Sequence, residues 1–252
     1  MYLPYLFIFI LGAAIGSFLN VCIYRLPEQQ SIISPSSRCP HCSTPIKFYD
    51  NIPILSFLLL RGGCRACGNP ISIQYMLVEI LNGAGYILVV WRFGFSAESV
   101  LYALLFSALV VASVIDLYHR IIPDVITIPG IIAGLLASAF LLPSGIKDSI
   151  AGILLGGSIF FIVAIASRGG MGGGDIKLIA MIGSFLGWTN VIITIILSSF
   201  LGSLVGIVMM ILFSKGRKYP VPFGPFLSMG GIISLFFNKE IIEWYLGMNL
   251  WY

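Results

Sequence analysis

Two of the ten acidic residues stand at the edges of long apolar runs. Asp116 closes one run in Val114-Ile115-Asp116-Leu117-Tyr118, and Asp175 opens another in Gly172-Gly173-Gly174-Asp175-Ile176-Lys177. Two carboxyls facing each other from different helices repel, so with partial burial they share one proton. One then acts as general base on a water while the other, protonated, polarises a carbonyl, and they titrate as a coupled pair. The glycines before Asp175, Gly172 and Gly174 among them, let an extended backbone approach the carboxylate. Before any family likeness is considered, two ordinary helix-end carboxylates account for the same residues equally well, Asp175 being favoured by a helix N-terminus. Glu79 lies inside a further apolar run, where an ionisable group is costly. It is either functional or paired with a polar neighbour for structure. Glu28, Asp50, Glu98, Asp148, Glu240 and Glu243 fall in connections or near run ends, as solvated surface residues do.

A second cluster is soft and nucleophilic. Cys39-Pro40-His41-Cys42 and Cys64-Arg65-Ala66-Cys67 form paired C-x2-C knuckles separated by 21 residues. Two thiolates three positions apart bind one ion together, and two knuckles complete the tetrahedral sulfur set that zinc prefers. Four cysteines leave no open coordination position, so the expected Zn2+ is structural, with His41 a spectator. Disulfides or four unrelated free thiols are the competing readings; the first needs an oxidising compartment. Cys22, alone, reads as packing.

The elements that must carry these groups are membrane helices. The chain is 58% hydrophobic and 10% charged over 252 residues, with a mean hydropathy of +1.02; a soluble domain carries about 25% charged residues. The net charge of +4 is too modest to suggest nucleic acid. The first 27 residues resemble a signal peptide but lack a basic n-region, and their apolar run is long enough to span, so a retained first helix is expected. Apolar runs at 3–22, 71–91, 98–116, 122–142, 149–167, 175–189, 190–213 and 223–246 predict about eight transmembrane helices, with the break near Trp188-Thr189-Asn190 the least marked and seven spans the competing count. Lipid leaves unpaired backbone no partner, so all should be helical.

Basic residues orient the spans. With eight, Arg25, Arg38, Lys47, Arg61, Arg65, Arg120, Arg168, Lys177, Lys215, Arg217 and Lys218 share one side, against Arg92, Lys147 and Lys239 on the other. The first side is then cytoplasmic, and it holds the four cysteines, Asp116 and Asp175. The expected organisation is a first helix at 1–23, a small cytoplasmic zinc loop at 24–72 and a membrane-embedded domain at 73–252.

At this point the residues resemble a known family, the bacterial type IV prepilin peptidases, which are bifunctional leader peptidase/N-methyltransferases and GxGD-type membrane aspartyl proteases. The likeness runs nearly end to end. It covers Gly16-Ser17-Phe18-Leu19-Asn20-Val21 with Arg25-Leu26-Pro27, and Asp50-Asn51-Ile52-Pro53 between the knuckles. It continues through Tyr75 and Glu79, Asp116 through Pro123-Asp124, Gly172-Gly173-Gly174-Asp175 with Lys177, and Pro222-Phe223-Gly224-Pro225. The resemblance implies Asp116 and Asp175 as the catalytic pair, with Gly172, Gly174, Lys177, Asp124 and Glu79 in support. It implies prepilin and pseudopilin substrates cut after a glycine at the cytoplasmic face of the inner membrane. It also implies methylation of the new N-terminus by S-adenosyl-L-methionine; no Rossmann-type strand–glycine–helix unit marks that donor's site. A proton-coupled transporter using the intramembrane acids is the rival reading, though no inverted repeat is visible. A non-catalytic scaffold that recruits partners through the zinc loop is a third.

Overall fold

A computed structural model describes residues 3–167, 170–212 and 221–247. Arg168, Lys215, Arg217 and Lys218 of the orientation argument, and Gly169 of the glycine cluster, lie outside the described residues. The regular elements of the described residues are helices, with no strand beyond two isolated bridges: α1 (Leu3–Arg25), a 3-10 turn (Phe48–Asn51), α2 (Leu55–Leu59), α3 (Ile73–Phe93), α4 (Ala97–His119), α5 (Asp124–Phe140), α6 (Gly145–Ala166), α7 (Gly173–Leu212) and α8 (Gly224–Leu246). Among them α1, α3, α4, α6 and α7 are long and apolar enough to cross a membrane, and α5 is a shorter apolar helix. Large apolar side chains such as Phe7, Phe140 and Ile165 are exposed on these helices, as a lipid-facing surface requires. The chain forms two compact units, Met1–Val111 and Ala112–Tyr252.

In the first unit α1 lies against α3 at backbone contact. A methyl group on Gly16 would come within 2.8 Å of the Glu79 Cα, and one on Gly12 within 2.9 Å of the Gly83 Cα. Small residues are the usual means of such approach in lipid, where apolar burial between helices drives little. Polar side chains add to the contact: the fully buried Asn82 donates from Nδ2 to the Gly12 carbonyl at 2.7 Å and accepts from the Ser107 hydroxyl at 2.9 Å. Each such interhelical bond contributes about 0.6 kcal/mol on average. The loop between α1 and α3 has few apolar residues to bury. Ser72 caps the start of α3 by accepting the Gln74 amide at 3.3 Å.

In the second unit α7 is two antiparallel limbs. Gly187 has φ +79° and ψ 176°, which is not helical. The Cγ1 atoms of Ile179 and Val191 both approach the Gly156 Cβ position, to 2.9 and 3.1 Å. Twelve residues of straight helix would separate those two side chains by about 18 Å, so the chain folds back at Gly187. The expected break near 188–190 therefore falls one residue earlier, and α7 supplies both the sixth and the seventh expected spans. The second limb bonds α8 through the Thr194 and Ser234 hydroxyls, 3.0 Å apart. Helix α8 kinks at Phe237, just before Asn238-Lys239-Glu240.

Candidate active site and metal centre

Four helix ends of the second unit build one site. Helix α4 ends as Arg120 takes φ +55°, with its amide on the Asp116 carbonyl at 2.9 Å. Pro123 follows with φ −65° as the N-cap of α5, so the link is short and stiff. On the last turn of α4 Asp116 is 6% exposed. Its Oδ2 accepts the backbone N–H of Gly224, the first residue of α8, at 2.8 Å. The Arg120 charge also acts on it.

Asp175 sits in the first turn of α7 and is 9% exposed. Its amide bonds the Gly172 carbonyl at 3.1 Å, and a methyl group on Gly172 would lie 3.4 Å from its Oδ2. Gly174 packs on the α4–α5 link, where a side chain would meet the Ile122 Cβ at 2.9 Å. Gly174 adjoins Asp175, and Ile122 lies in the link that follows Asp116, so two largely buried carboxyls stand at neighbouring helix ends. Such a pair can hold a water between a base and a proton donor.

Lys177, a half-turn along α7, donates Nζ to both oxygens of Asp124 at 2.6 and 2.7 Å, with the side chains 41% and 56% exposed. It joins the start of α7 to the start of α5. Glu79 belongs to the first unit, in different company: its Oε2 accepts the Ile54 amide at 2.7 Å.

The four cysteine sulfurs of the loop lie within 4.8 Å of one another, with Cys39–Cys67 at 3.8 Å and Cys42–Cys64 at 4.0 Å. An ion held tetrahedrally at about 2.3 Å sets its sulfurs about 3.8 Å apart, so this set fits zinc. The knuckles are copies of each other. Ser43 N–H bonds Cys39 O at 2.9 Å and Cys39 N–H bonds Thr44 O at 3.0 Å; Gly68 N–H bonds Cys64 O and Cys64 N–H bonds Asn69 O, both at 2.8 Å. Arg38 bridges Pro45, and Gly63 bridges Pro70. Hydrogen bonds from Thr44, through its side chain first and then its amide, hold the Cys42 thiol down to about 6, and the Cys67 and Ala66 amides hold Cys64 below its ordinary value. Beside the knuckles Arg65 grips Asp50 at 2.7 Å, and its hydrogen bonds keep that carboxyl below the usual range.

The sequence gives no sign of the role of Gly224, because a backbone donor has no side chain to announce it. The repeated Cys-x-x-Cys-x-x-Pro-Ile at 39–46 and 64–71 was legible, but only as two knuckles.

Comparison with known proteins adds the following. Residues 10–93 match the Bacterial Peptidase A24 N-terminal domain, and residues 103–207 match the Type IV leader peptidase family. The chain is 37% identical to a prepilin leader peptidase/N-methyltransferase of Stutzerimonas stutzeri, over 94% of this chain and 92% of the relative. It is 34% identical to the protein of that name in Pseudomonas aeruginosa, over 94% and 91%, and 35% identical to that of Legionella pneumophila, over 96% and 94%. No solved structure matches.

Proposed function

This chain belongs to the type IV leader peptidase family, and we propose that it cleaves the basic leader of type IV prepilins and pseudopilins using Asp116 and Asp175, then N-methylates the new N-terminal residue. The observation that carries this reading is the pair of largely buried carboxyls on the ends of α4 and α7, which adjoin where Gly174 packs on Ile122. The family membership leaves the transporter reading without support.

In the proposed reaction one carboxylate of the pair takes a proton from water while the water oxygen attacks the carbonyl carbon of the leader glycine. The other, protonated, donates to the carbonyl oxygen, where charge develops. Collapse of the tetrahedral intermediate breaks the C–N bond, and the nitrogen leaves as an amine carrying a proton from the pair. The glycines Gly172 and Gly174 leave room for an extended substrate beside Asp175. Lys177 and Asp124 hold the starts of α7 and α5 together.

The excess of basic residues on one side supports a cytoplasmic site in the inner membrane. Cys39, Cys42, Cys64 and Cys67 are the residues that would hold a structural zinc and so order a loop with little core of its own. We assign the loop, 24–72, to methyl transfer and the second unit, with Asp116 and Asp175, to proteolysis. S-adenosyl-L-methionine, when bound in the first unit, would supply an activated methyl group from its sulfur to the amine that cleavage frees, which would give up one proton to water.

The test is cleavage of a purified prepilin in liposomes by wild type, Asp116→Asn and Asp175→Asn. Cleavage after the leader glycine that is lost in both variants is expected. Unchanged cleavage in either one breaks the proposed pair.

A further inference from the structure

We infer that a cleft in the first unit, between α1 and the loop, binds S-adenosyl-L-methionine, and that Glu79 positions its wall; this rests on the methyl-transfer reading above. The cleft has a volume of about 340 Å3 and is lined by Ser17, Phe18 and Arg25 of α1 and by Ser36, Ser37 and Asn51 of the loop. That size is within the range of small-molecule sites, about 300–1,000 Å3. One turn of α-helix, about 5.4 Å long and 10 Å across with side chains, fills about 420 Å3, so the apolar helix of a pilin does not fit. The lining mixes three hydroxyls, an amide and a guanidinium with an aromatic ring. A nucleoside with ribose hydroxyls, a purine face and an amino-acid carboxylate calls for that mixture.

The walls are built, not incidental. Arg25 donates to the Ser31 carbonyl at 2.9 Å and to the Pro35 carbonyl at 2.7 Å, holding segment 31–35 to the end of α1. Glu79, 7% exposed inside an apolar helix, reaches the cleft from behind. Its Oε2 accepts the amide of Ile54, next to the lining residue Pro53, at 2.7 Å, and its Cα backs Gly16, the neighbour of the lining residue Ser17. Ile54 has φ +63° and ψ −53°, which is strained for a β-branched residue. Strain of this kind costs about 1–3 kcal/mol and persists only where neighbours enforce it, commonly at ligand clamps. The proposed proteolysis makes no use of Glu79, the Ile54 clamp or the cleft.

The test uses the full-length protein purified in detergent, with S-adenosyl-L-methionine binding measured by titration calorimetry and prepilin cleavage measured alongside. Ser36→Trp and Ser37→Trp, which fill the cleft from the loop side, are expected to weaken binding at least tenfold and leave cleavage within twofold. Glu79→Ala should weaken binding similarly, whereas Glu79→Gln, which keeps an oxygen for the Ile54 amide, should bind within threefold of wild type. Wild-type binding by both tryptophan variants overturns the cleft while methyl transfer stands. Should those variants also lose cleavage, Asn51→Ala decides: unchanged binding overturns the cleft. A wild type that cleaves but neither binds the donor nor methylates overturns the methyl-transfer reading itself.

Discussion

The backbone N–H of Gly224 points at Oδ2 of Asp116 from 2.8 Å, across 108 residues of sequence. A carboxylate at a helix N-terminus gains from an otherwise unpaired amide and from the helix dipole. Here the carboxylate is on α4 and the helix start is α8, so α8 presents a donor to one member of the proposed pair. The approach leaves no room for a side chain: a methyl group on Gly224 would lie 2.8 Å from Oδ2 and 3.1 Å from Cγ.

Gly224→Ala is therefore expected to displace Asp116 without unfolding the protein. A hydrogen bond to a charged group contributes about 1.5–3 kcal/mol, so cleavage should slow about 10- to 150-fold. Steady-state kinetics on a prepilin check this, with melting in detergent as the control. A variant with wild-type kcat would mean that the Gly224 amide does not orient the reacting carboxyl.

Removing the metal should separate the two activities. Structural zinc contributes about 10–16 kcal/mol to the order of small sites, and the loop has no comparable source of order. Chelation, or Cys64→Ser, is expected to abolish a stoichiometric zinc signal by mass spectrometry of the intact protein and to reduce methylation more than cleavage. Equal loss of both activities would show the loop to be a global stabiliser instead.

Different parts of the molecule were legible in the sequence for different reasons. The spans and the knuckles announce themselves through hydropathy and side-chain chemistry, and the sulfurs of Cys39, Cys42, Cys64 and Cys67 do cluster. The Gly224 donor and the Ile54 amide on Glu79 are backbone groups, and no pattern of side chains encodes which carboxylate they meet. The reversal in α7 was misplaced by one residue because Leu186-Gly187-Trp188 continues the apolar run. Only the left-handed φ of Gly187 marks the turn.

The Lys177–Asp124 pair is exposed, and pairs of that kind contribute about 0–1 kcal/mol. Lys177→Gln is thus expected to change cleavage by no more than about fivefold and to leave the melting temperature within a few degrees. A hundredfold loss of kcat/KM at unchanged stability would instead place Lys177 in contact with the substrate.

The α7 hairpin makes a sharper demand on glycine, and two neighbouring positions provide the contrast. Gly187 has φ +79°, and a methyl group there would also press on the Asp148 Cβ at 3.3 Å. A side chain in that backbone region costs about 1–3 kcal/mol. Gly157, on α6, has ordinary helical φ and nothing within 4 Å of its Cβ position. Replacing a compatible helical glycine with alanine stabilises by about 0.4–1 kcal/mol. Gly187→Ala is accordingly expected to lower the melting temperature in detergent by about 2–12 °C, and Gly157→Ala to hold or raise it. Because the first limb of α7 carries Asp175, Gly187→Ala should also reduce cleavage, while Gly157→Ala should not. Equal melting temperatures for the two variants would mean that the chain does not need the left-handed turn at Gly187 to bring Ile179 and Val191 to the same face of α6.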